Sequence, residues 1–516
     1  MSNQSIGLCN ECRERVPADY HFPNGQVWFR KSCPSCGTTQ SFISSDAAVW
    51  HAKRELWKGL QDESPCTLNC NRCKITHNPA MLFMDVTNHC NMDCPICGFS
   101  LRGMGFDFNP PMEYFEKIFA TVAKMSPRPV VNLFGGEPTV RDDMFDIIAI
   151  GRKHGIDTQV TTNGIRLADE DYCRKLCEAD VGLRFSFDGR KREIYERLRN
   201  NGRAFDKKMK ALENLKKYSR RKHTIIACAA RGINDQYLGD LFQFCHENRE
   251  FISDVGIIPL YESWEPGVFE VDEHTTAEDV EKMVQAAVPG GGVDFIPAGM
   301  THWLNVMRPF FRDRPTSGFL FFAGVHPNCE SITFLIPDGE TYRGINHYIN
   351  KPLPEAAKEL ADLVRKIEPK LSKLDLKKPL QRLQGKLLCL RAVVPWLLGI
   401  INMRNVFGKS IFIGMIKTAW HLWKRHRTKH ITKRPAPVTY LRVAVLPFEE
   451  QHSIDSERLK SCKVGMPYED VKTNRIEIIP HCLWYPYRNE ILRTIADKYG
   501  TVRNTQTVSL SSKKVA

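Results

Sequence analysis

Ten of the eighteen cysteines in this 516-residue chain fall before residue 98, in close-spaced groups. Cys9-x2-Cys12 and Cys33-x2-Cys36 form two knuckles joined by twenty residues. Each knuckle presents two thiolates to one ion, and the pair makes a tetrahedral S4 site. Zinc in a structural ribbon and mononuclear iron both suit four soft thiolates. Cys66-x3-Cys70-x2-Cys73 and Cys90-x3-Cys94-x2-Cys97 repeat a second spacing. Three cysteines can each take one iron of a [4Fe–4S] cluster and leave the fourth iron open to a substrate or cofactor. A cluster completed by a distant cysteine, or a zinc knuckle, fits the same residues. Disulfides are not expected, because MSNQSIGLCNEC lacks a basic and apolar leader and the chain reads as cytosolic.

The elements that must position these residues follow from periodicity. Short β-rich runs at 81–87, 130–136, 157–164, 181–189, 224–232 and 255–263 alternate with amphipathic segments such as 142–154, 169–178 and 205–218. Six such alternations predict an α/β fold of parallel strands with right-handed crossovers, as an open sheet or partial (β/α)6 barrel. Chemistry in such folds sits at the C-terminal ends of the strands. The Cys90–Cys97 loop directly follows the first strand, in DVTNHCNMDCPICGF. The organisation expected is a four-cysteine module at 1–50, an auxiliary-cluster segment at 51–80 and the partial barrel at 81–290. An auxiliary-cluster and substrate-side segment at 291–350, a basic amphipathic helical extension at 351–436 and a mixed region at 437–516 complete it. Cys173, Cys177, Cys228 and Cys245 lie in helix or strand patterns and read as small core residues.

With FGGEPT (134–139), FSFDG (185–189) and GIIPLYE (256–262) on successive strands, residues 81–265 resemble the radical S-adenosylmethionine superfamily. The resemblance implies a [4Fe–4S] cluster on Cys90, Cys94 and Cys97 whose open iron chelates the amino and carboxylate groups of S-adenosylmethionine. It also implies reduction by a donor such as ferredoxin or flavodoxin, which yields a 5′-deoxyadenosyl radical. Gly135, Gly136 and Glu137 match the segment that binds the methionine amino group, and Ser186 and Asp188 stand where ribose hydroxyls are held. Asp188 also reads as a turn residue before Gly189. Gly256 to Glu262 occupies the strand that flanks adenine. Cys66, Cys70 and Cys73 would then ligate an auxiliary [4Fe–4S] cluster, with Cys329 of HPNC as a fourth ligand and Cys462 and Cys482 as weaker candidates.

In motif order, residues 1–350 resemble more narrowly the group containing archaeal tetraether lipid synthase and bacterial membrane-spanning-lipid enzymes. This implies mononuclear iron at the four-cysteine site and sp3–sp3 carbon coupling of lipid chains. The alternative is a methylase-like or other modification of a soluble substrate such as a pterin or peptide. Charge supplies a separate expectation. The formal net charge is +14, and residues 376–434 hold fourteen Lys and Arg with no Asp or Glu. That segment contains two apolar runs, 387–401 and 410–430, with Trp396, Trp420 and Trp423. Neither run is long enough uninterrupted to span a bilayer, Arg391 and Pro395 breaking the first. Such a segment suits a membrane surface and a cytoplasmic, peripherally membrane-associated protein; no recognition fold for nucleic acid accompanies it.

Overall fold

The computed structural model describes residues 4–57, 66, 68, 79–98, 104–262, 264, 267–311, 323–408 and 440–500. Cys70, Cys73, Trp420, Trp423 and the second apolar run lie outside these residues.

The N-terminal module is an antiparallel sheet of four strands in sequential order, β1 (Gln4–Leu8), β2 (Arg15–His21), β3 (Val27–Cys33) and β4 (Gly37–Ser44). Its apolar face, with Tyr20, Val27 and Phe29, packs on Trp50 of α1 (Ala47–Trp57). Lys53 of α1 is buried between Glu278 at 2.7 Å and Glu281 at 2.6 Å. Tyr20 donates to Asp455 at 2.7 Å. A module too small for a large core is thereby fastened to the main sheet by buried polar contacts.

The main sheet contains β5 (Met81–Thr87), β6 (Val130–Gly135), β7 (Thr158–Thr162), β8 (Gly182–Ser186), β9 (His223–Ala229) and β10 (Ile252–Pro259), all parallel neighbours. Every residue of β5 is buried, as expected of a parallel strand covered on both faces. The intervening helices are α2 (Met112–Val122), α3 (Met144–Lys153), α4 (Glu170–Glu178), α5 (Arg192–Arg199), α6 (Arg203–Tyr218) and α7 (Leu238–Glu247). The helix α8 (Ala277–Ala287) follows β10 and is closed at its N-terminus by a Thr276/Asp279 capping box. Leu133, Val160, Leu183, Ile225, Val255 and Ile257 point to the helices and form one core. Cys173, Cys228 and Cys245 belong to that core, and Cys177 packs against it.

The six expected strands are the middle of a larger mixed sheet. Its order is β11-β12-β14-β10-β9-β8-β7-β6-β5-β15-β16, with β13 paired to β12. The added strands are β11 (Ile296–Pro297), β12 (Ser331–Asp338), β13 (Thr341–Gly344), β14 (Leu441–Val445), β15 (Val464–Asp470) and β16 (Arg475–Pro480). The segment VTYLRVAVLPFEE, set apart in sequence as C-terminal, thus supplies β14 in parallel beside β10. The Arg184 guanidinium on β8 reaches the Phe83 ring on β5 at 5.8 Å, across three strand spacings, so the parallel run is curved.

Two helices beyond the sheet, α9 (Leu353–Leu371) and α10 (Pro379–Ile400), pack around Phe310, Leu360, Val364 and Cys389. Contrary to expectation, α10 runs unbroken through Arg391 and Pro395 for 22 residues and is long and apolar enough to cross a membrane by length and composition. Its outward face leaves Leu380, Leu383, Leu387, Leu390, Leu397 and Leu398 40–82% exposed. The final helix, α11 (Arg488–Lys498), returns to the edge of β5 through Arg488.

Candidate active site

At the C-terminal end of β5 the chain leaves the sheet into the cysteine loop. The Asn88 side chain pins both ends of this loop, donating to Phe106 O at 2.7 Å and accepting from Phe108 N at 2.8 Å. Cys97 N donates to Cys94 O at 3.2 Å, closing the turn that carries two of the three thiols. Burial, with the nearby Glu137, Cys94 and Cys97, pushes the Cys90 thiol up to about 12. Mutually repelling thiolates of this kind are the donor set a cationic cluster relieves, so these residues fit the group the sequence implied.

The glycines of FGGEPT lie against the cysteine loop. Gly135 has φ +118°, and a Cβ there would stand 2.5 Å from Thr87 O; one at Gly136 would stand 2.1 Å from His89 O. Gly136 N donates to Thr87 O at 2.7 Å and Glu137 N to His89 O at 2.8 Å. Glycine is required because two backbones touch. Glu137 is 1% exposed. Its Oε1 accepts from Thr139 N, Thr139 Oγ1 and Thr162 Oγ1, and Oε2 accepts from Asn163 N at 2.6 Å. Most of its capacity therefore goes to fixing the strand ends, a role not read from the sequence. Asp188 is 3% exposed and accepts from Arg199 Nε at 2.9 Å, Arg199 Nη2 at 2.8 Å and Cys228 N at 2.9 Å. Despite the burial, Arg199 keeps its carboxyl below the usual range. Three donors from the chain thus hold its two oxygens at the end of β8.

Two residues passed over in sequence join this cluster. Asn163 donates through Nδ2 to Asn91 Oδ1 at 2.7 Å and toward Cys90 Sγ at 3.8 Å. Lys208 is buried and donates to Asn163 O at 2.7 Å and Ser186 O at 2.5 Å, and burial pulls its pKa down to about 8. The signal for Asn163 was TTNG at a strand end; a lysine inside a long amphipathic helix gave none.

At the same edge, Pro259–Glu262 and Phe448 line a cavity of about 660 Å³ between the main sheet and the N-terminal module. Its walls include Trp28, Phe42 and Tyr261, with the carboxylates of Glu262 and Glu450. Glu262 pairs with His274 Nδ1 at 2.5 Å and Glu450 with His452 Nε2 at 2.9 Å. Gly256 stands below, where a Cβ would meet Leu446 and Ile226 side chains at 2.9 and 3.0 Å. Tyr261 packs on Tyr485 at 5.5 Å. The phenol of Tyr485 is raised by burial, then by Cys482, Asp85 and Cys97. Tyr485 thus stands between Tyr261 at the cavity wall and the Cys97 and Cys482 thiols that act on it.

Cys329, Cys462 and Cys482 also converge. Burial raises all three thiols, and each is raised further by another cysteine of the set or by Glu449, while the Arg458 charge acts to lower them. Cys66 shares an apolar cluster with Cys482. Cys9, Cys12, Cys33 and Cys36 present their Sγ atoms within 4.8 Å of one another, with Cys12 and Cys33 3.8 Å apart. A tetrahedron with ~2.3 Å metal–sulfur bonds has edges of about 3.8 Å, so the site fits one ion.

Residues 84–245 match the Radical SAM superfamily and residues 1–45 an HMPTM N-terminal zinc ribbon domain. The chain is 27% identical over 359 residues to 7,8-dihydro-6-hydroxymethylpterin dimethyltransferase of Methanocaldococcus jannaschii, covering 66% of this chain and 69% of that one. It is 32% identical over 138 residues to mycofactocin maturase MftC of Mycolicibacterium smegmatis, covering 27% of this chain and 34% of the relative. The solved structure of histidine-tagged anSMEcpe with bound AdoMet is similar over 62% of this chain and 98% of that one, at 18% identity and a TM-score of 0.35.

Proposed function

We propose that this chain, whose residues 84–245 match the Radical SAM superfamily, abstracts hydrogen from a carbon of a soluble, planar heterocyclic substrate of the pterin kind. The observation that carries this reading is the cavity of about 660 Å³ at the strand ends. Aromatic walls suit a flat ring, and carboxylates of the Glu262 and Glu450 type accept from ring N–H and amino groups. The name of the pterin dimethyltransferase relative supports it.

Bound at the Cys90/Cys94/Cys97 loop, the cluster and S-adenosylmethionine would supply a 5′-deoxyadenosyl radical on reduction by an external electron donor. The chain's residues do the positioning. Gly135 and Gly136 lock the loop to β6, Glu137 and Asn163 tie β6 to β7, and Lys208 ties β7 to β8. The ring of Tyr261 and the carboxylate of Glu262 face the substrate space. Cys329, Cys462 and Cys482, with Cys66 beside Cys482 and the Cys70 and Cys73 of the same sequence motif, would hold auxiliary cluster iron. The N-terminal four-cysteine module would hold iron or zinc.

A second reading, coupling of lipid hydrocarbon chains at a membrane surface, is favoured by one observation. The exposed leucine face of α10 lies on a helix with Arg382, Lys386 and Arg391 and no acidic residue. Such a face beside basic residues suits an anionic bilayer. Anaerobic turnover with dihydropterins, and separately with anionic liposomes, distinguishes the two. Our reading expects deoxyadenosine formation stimulated by the pterin in liposome-free buffer. Stimulation by lipid alone, with a mass change in the lipid, replaces it with the second.

A further inference from the structure

The inner face of the curved sheet, away from the helices, carries a row of polar residues in register: Thr161, Arg184, Thr224, Asp254 and Arg442, on β7, β8, β9, β10 and β14. Their helix-facing neighbours Leu183, Ile225 and Val255 are buried, whereas Thr161, Thr224 and Asp254 are half-buried, so the inner space admits solvent.

Charges in this row are unevenly matched. Arg442 is neutralised by Asp254 at 2.6 Å. Arg184, 8% exposed, has no carboxylate at ion-pair distance among the described residues. Its guanidinium lies 3.9 Å from the Met81 sulfur and 5.8 Å from the Phe83 ring, and Asp254, Glu330 and Arg442 act on it electrostatically without reaching ion-pair distance. Glu330, 1% exposed, has no hydrogen-bond donor on either oxygen, and its nearest cation is Arg442 at 3.9 Å. A guanidinium has five donors, and burying it without an oxygen acceptor costs free energy. Burial lowers its pKa only to about 10, so it stays charged at neutral pH. The planar fork of arginine matches carboxylate and phosphate geometry. Arg184 lies two residues, or about 7 Å, below Ser186 at the strand edge, within reach of a substrate entering from that edge.

We propose that this inner face is an oxyanion subsite in which Arg184 binds a carboxylate or phosphate group carried by the substrate. This rests on the reading above that a substrate enters at the strand ends.

The test uses the reconstituted full chain, titrated calorimetrically with inorganic phosphate and with acetate at constant ionic strength. One anion site per chain is expected, and whichever anion binds more tightly identifies the class. Arg184→Met should weaken binding about 10- to 100-fold, the span of a lost charge-assisted hydrogen bond, and Arg184→Lys should fall between. In chloride, Arg184→Met should melt at or above wild type, because an unpaired buried charge has been removed. No stoichiometric binding of either anion to wild type, or undiminished binding to Arg184→Met, overturns the proposal. So does a lowered melting point in Arg184→Met, since that marks a structural arginine. Deoxyadenosine release by wild type in the same buffer needs no anion and reports separately on the radical reading.

Discussion

Asp85→Asn should loosen the C-terminal segment from the cysteine loop, by an amount the structure lets us work out. Asp85 lies on β5, five residues before Cys90, and accepts from Arg488 at 2.7 Å and from Trp484 Nε1 at 2.9 Å. Both charged side chains are 2% exposed. Removing one partner of a buried pair costs about 3–5 kcal/mol, chiefly because the other charge is left uncompensated. If α11 and the turn before it open as a unit, that cost multiplies the opening constant by about 10² to 4 × 10³ at 1.4 kcal/mol per decade. Hydrogen exchange read by mass spectrometry over residues 481–498 is the assay, with β8 and β9 as internal reference. The double variant Asp85→Leu/Arg488→Met should recover most of the protection, since an apolar pair leaves no buried charge. Exchange in Asp85→Asn within threefold of wild type over 481–498 would refute the reasoning.

The remaining predictions concern pH, glycine geometry, metal and membrane. His223 is buried, its Nδ1 accepts from Leu183 N at 3.2 Å, and burial lowers its pKa to about 3. The unfolded chain therefore binds the extra proton first, and acidification from pH 6.5 toward 3 should cost roughly 1.4 kcal/mol per pH unit at this site. Denaturant titrations of His223→Gln across that window should show a shallower slope; an identical slope contradicts it. Gly136→Ala forces a Cβ into His89 O, so iron content and cluster absorbance of the reconstituted variant should collapse, whereas retention of both removes the packing account. Cys12→Ser should lose one equivalent of metal by elemental analysis and raise exchange in residues 4–44, sparing β5–β10. Leu380→Glu/Leu387→Glu should abolish co-sedimentation with anionic vesicles if α10 meets a bilayer; unaltered sedimentation shows that this face does not bind it.

Much of this site was legible because local pattern and chemistry coincide. MLFMDVT is a strand over the same residues in the structure, and the cysteine loop starts where that strand ends. The S4 knuckles converge because two CxxC turns leave few other ways to satisfy four thiols. What stayed hidden depends on distant partners. LRVAV pairs with β10 and β12 across nearly two hundred and about one hundred residues, and nothing local in it encodes that choice. Cys462 and Cys482 drew less weight than Cys329, yet they flank the two ends of the β15–β16 hairpin, and Cys482 feels both Cys462 and Cys329 electrostatically. The full burial of Asp188 and the four donors on Glu137 follow from neighbours on other strands. Pro395 read as a helix break because a proline removes a donor, but packing of α10 on α9 holds the helix through it.

The central claim, hydrogen abstraction from a soluble substrate held at the strand ends, is tested most directly by isotope transfer. The reconstituted chain is reduced anaerobically with S-adenosylmethionine and a side-chain-deuterated dihydropterin, and the 5′-deoxyadenosine is weighed. Deuterium in the deoxyadenosine, lost when Tyr261 and Glu262 are replaced together by Ala and Gln, is the predicted result. Deoxyadenosine that forms at the same rate without the pterin and never carries deuterium contradicts it.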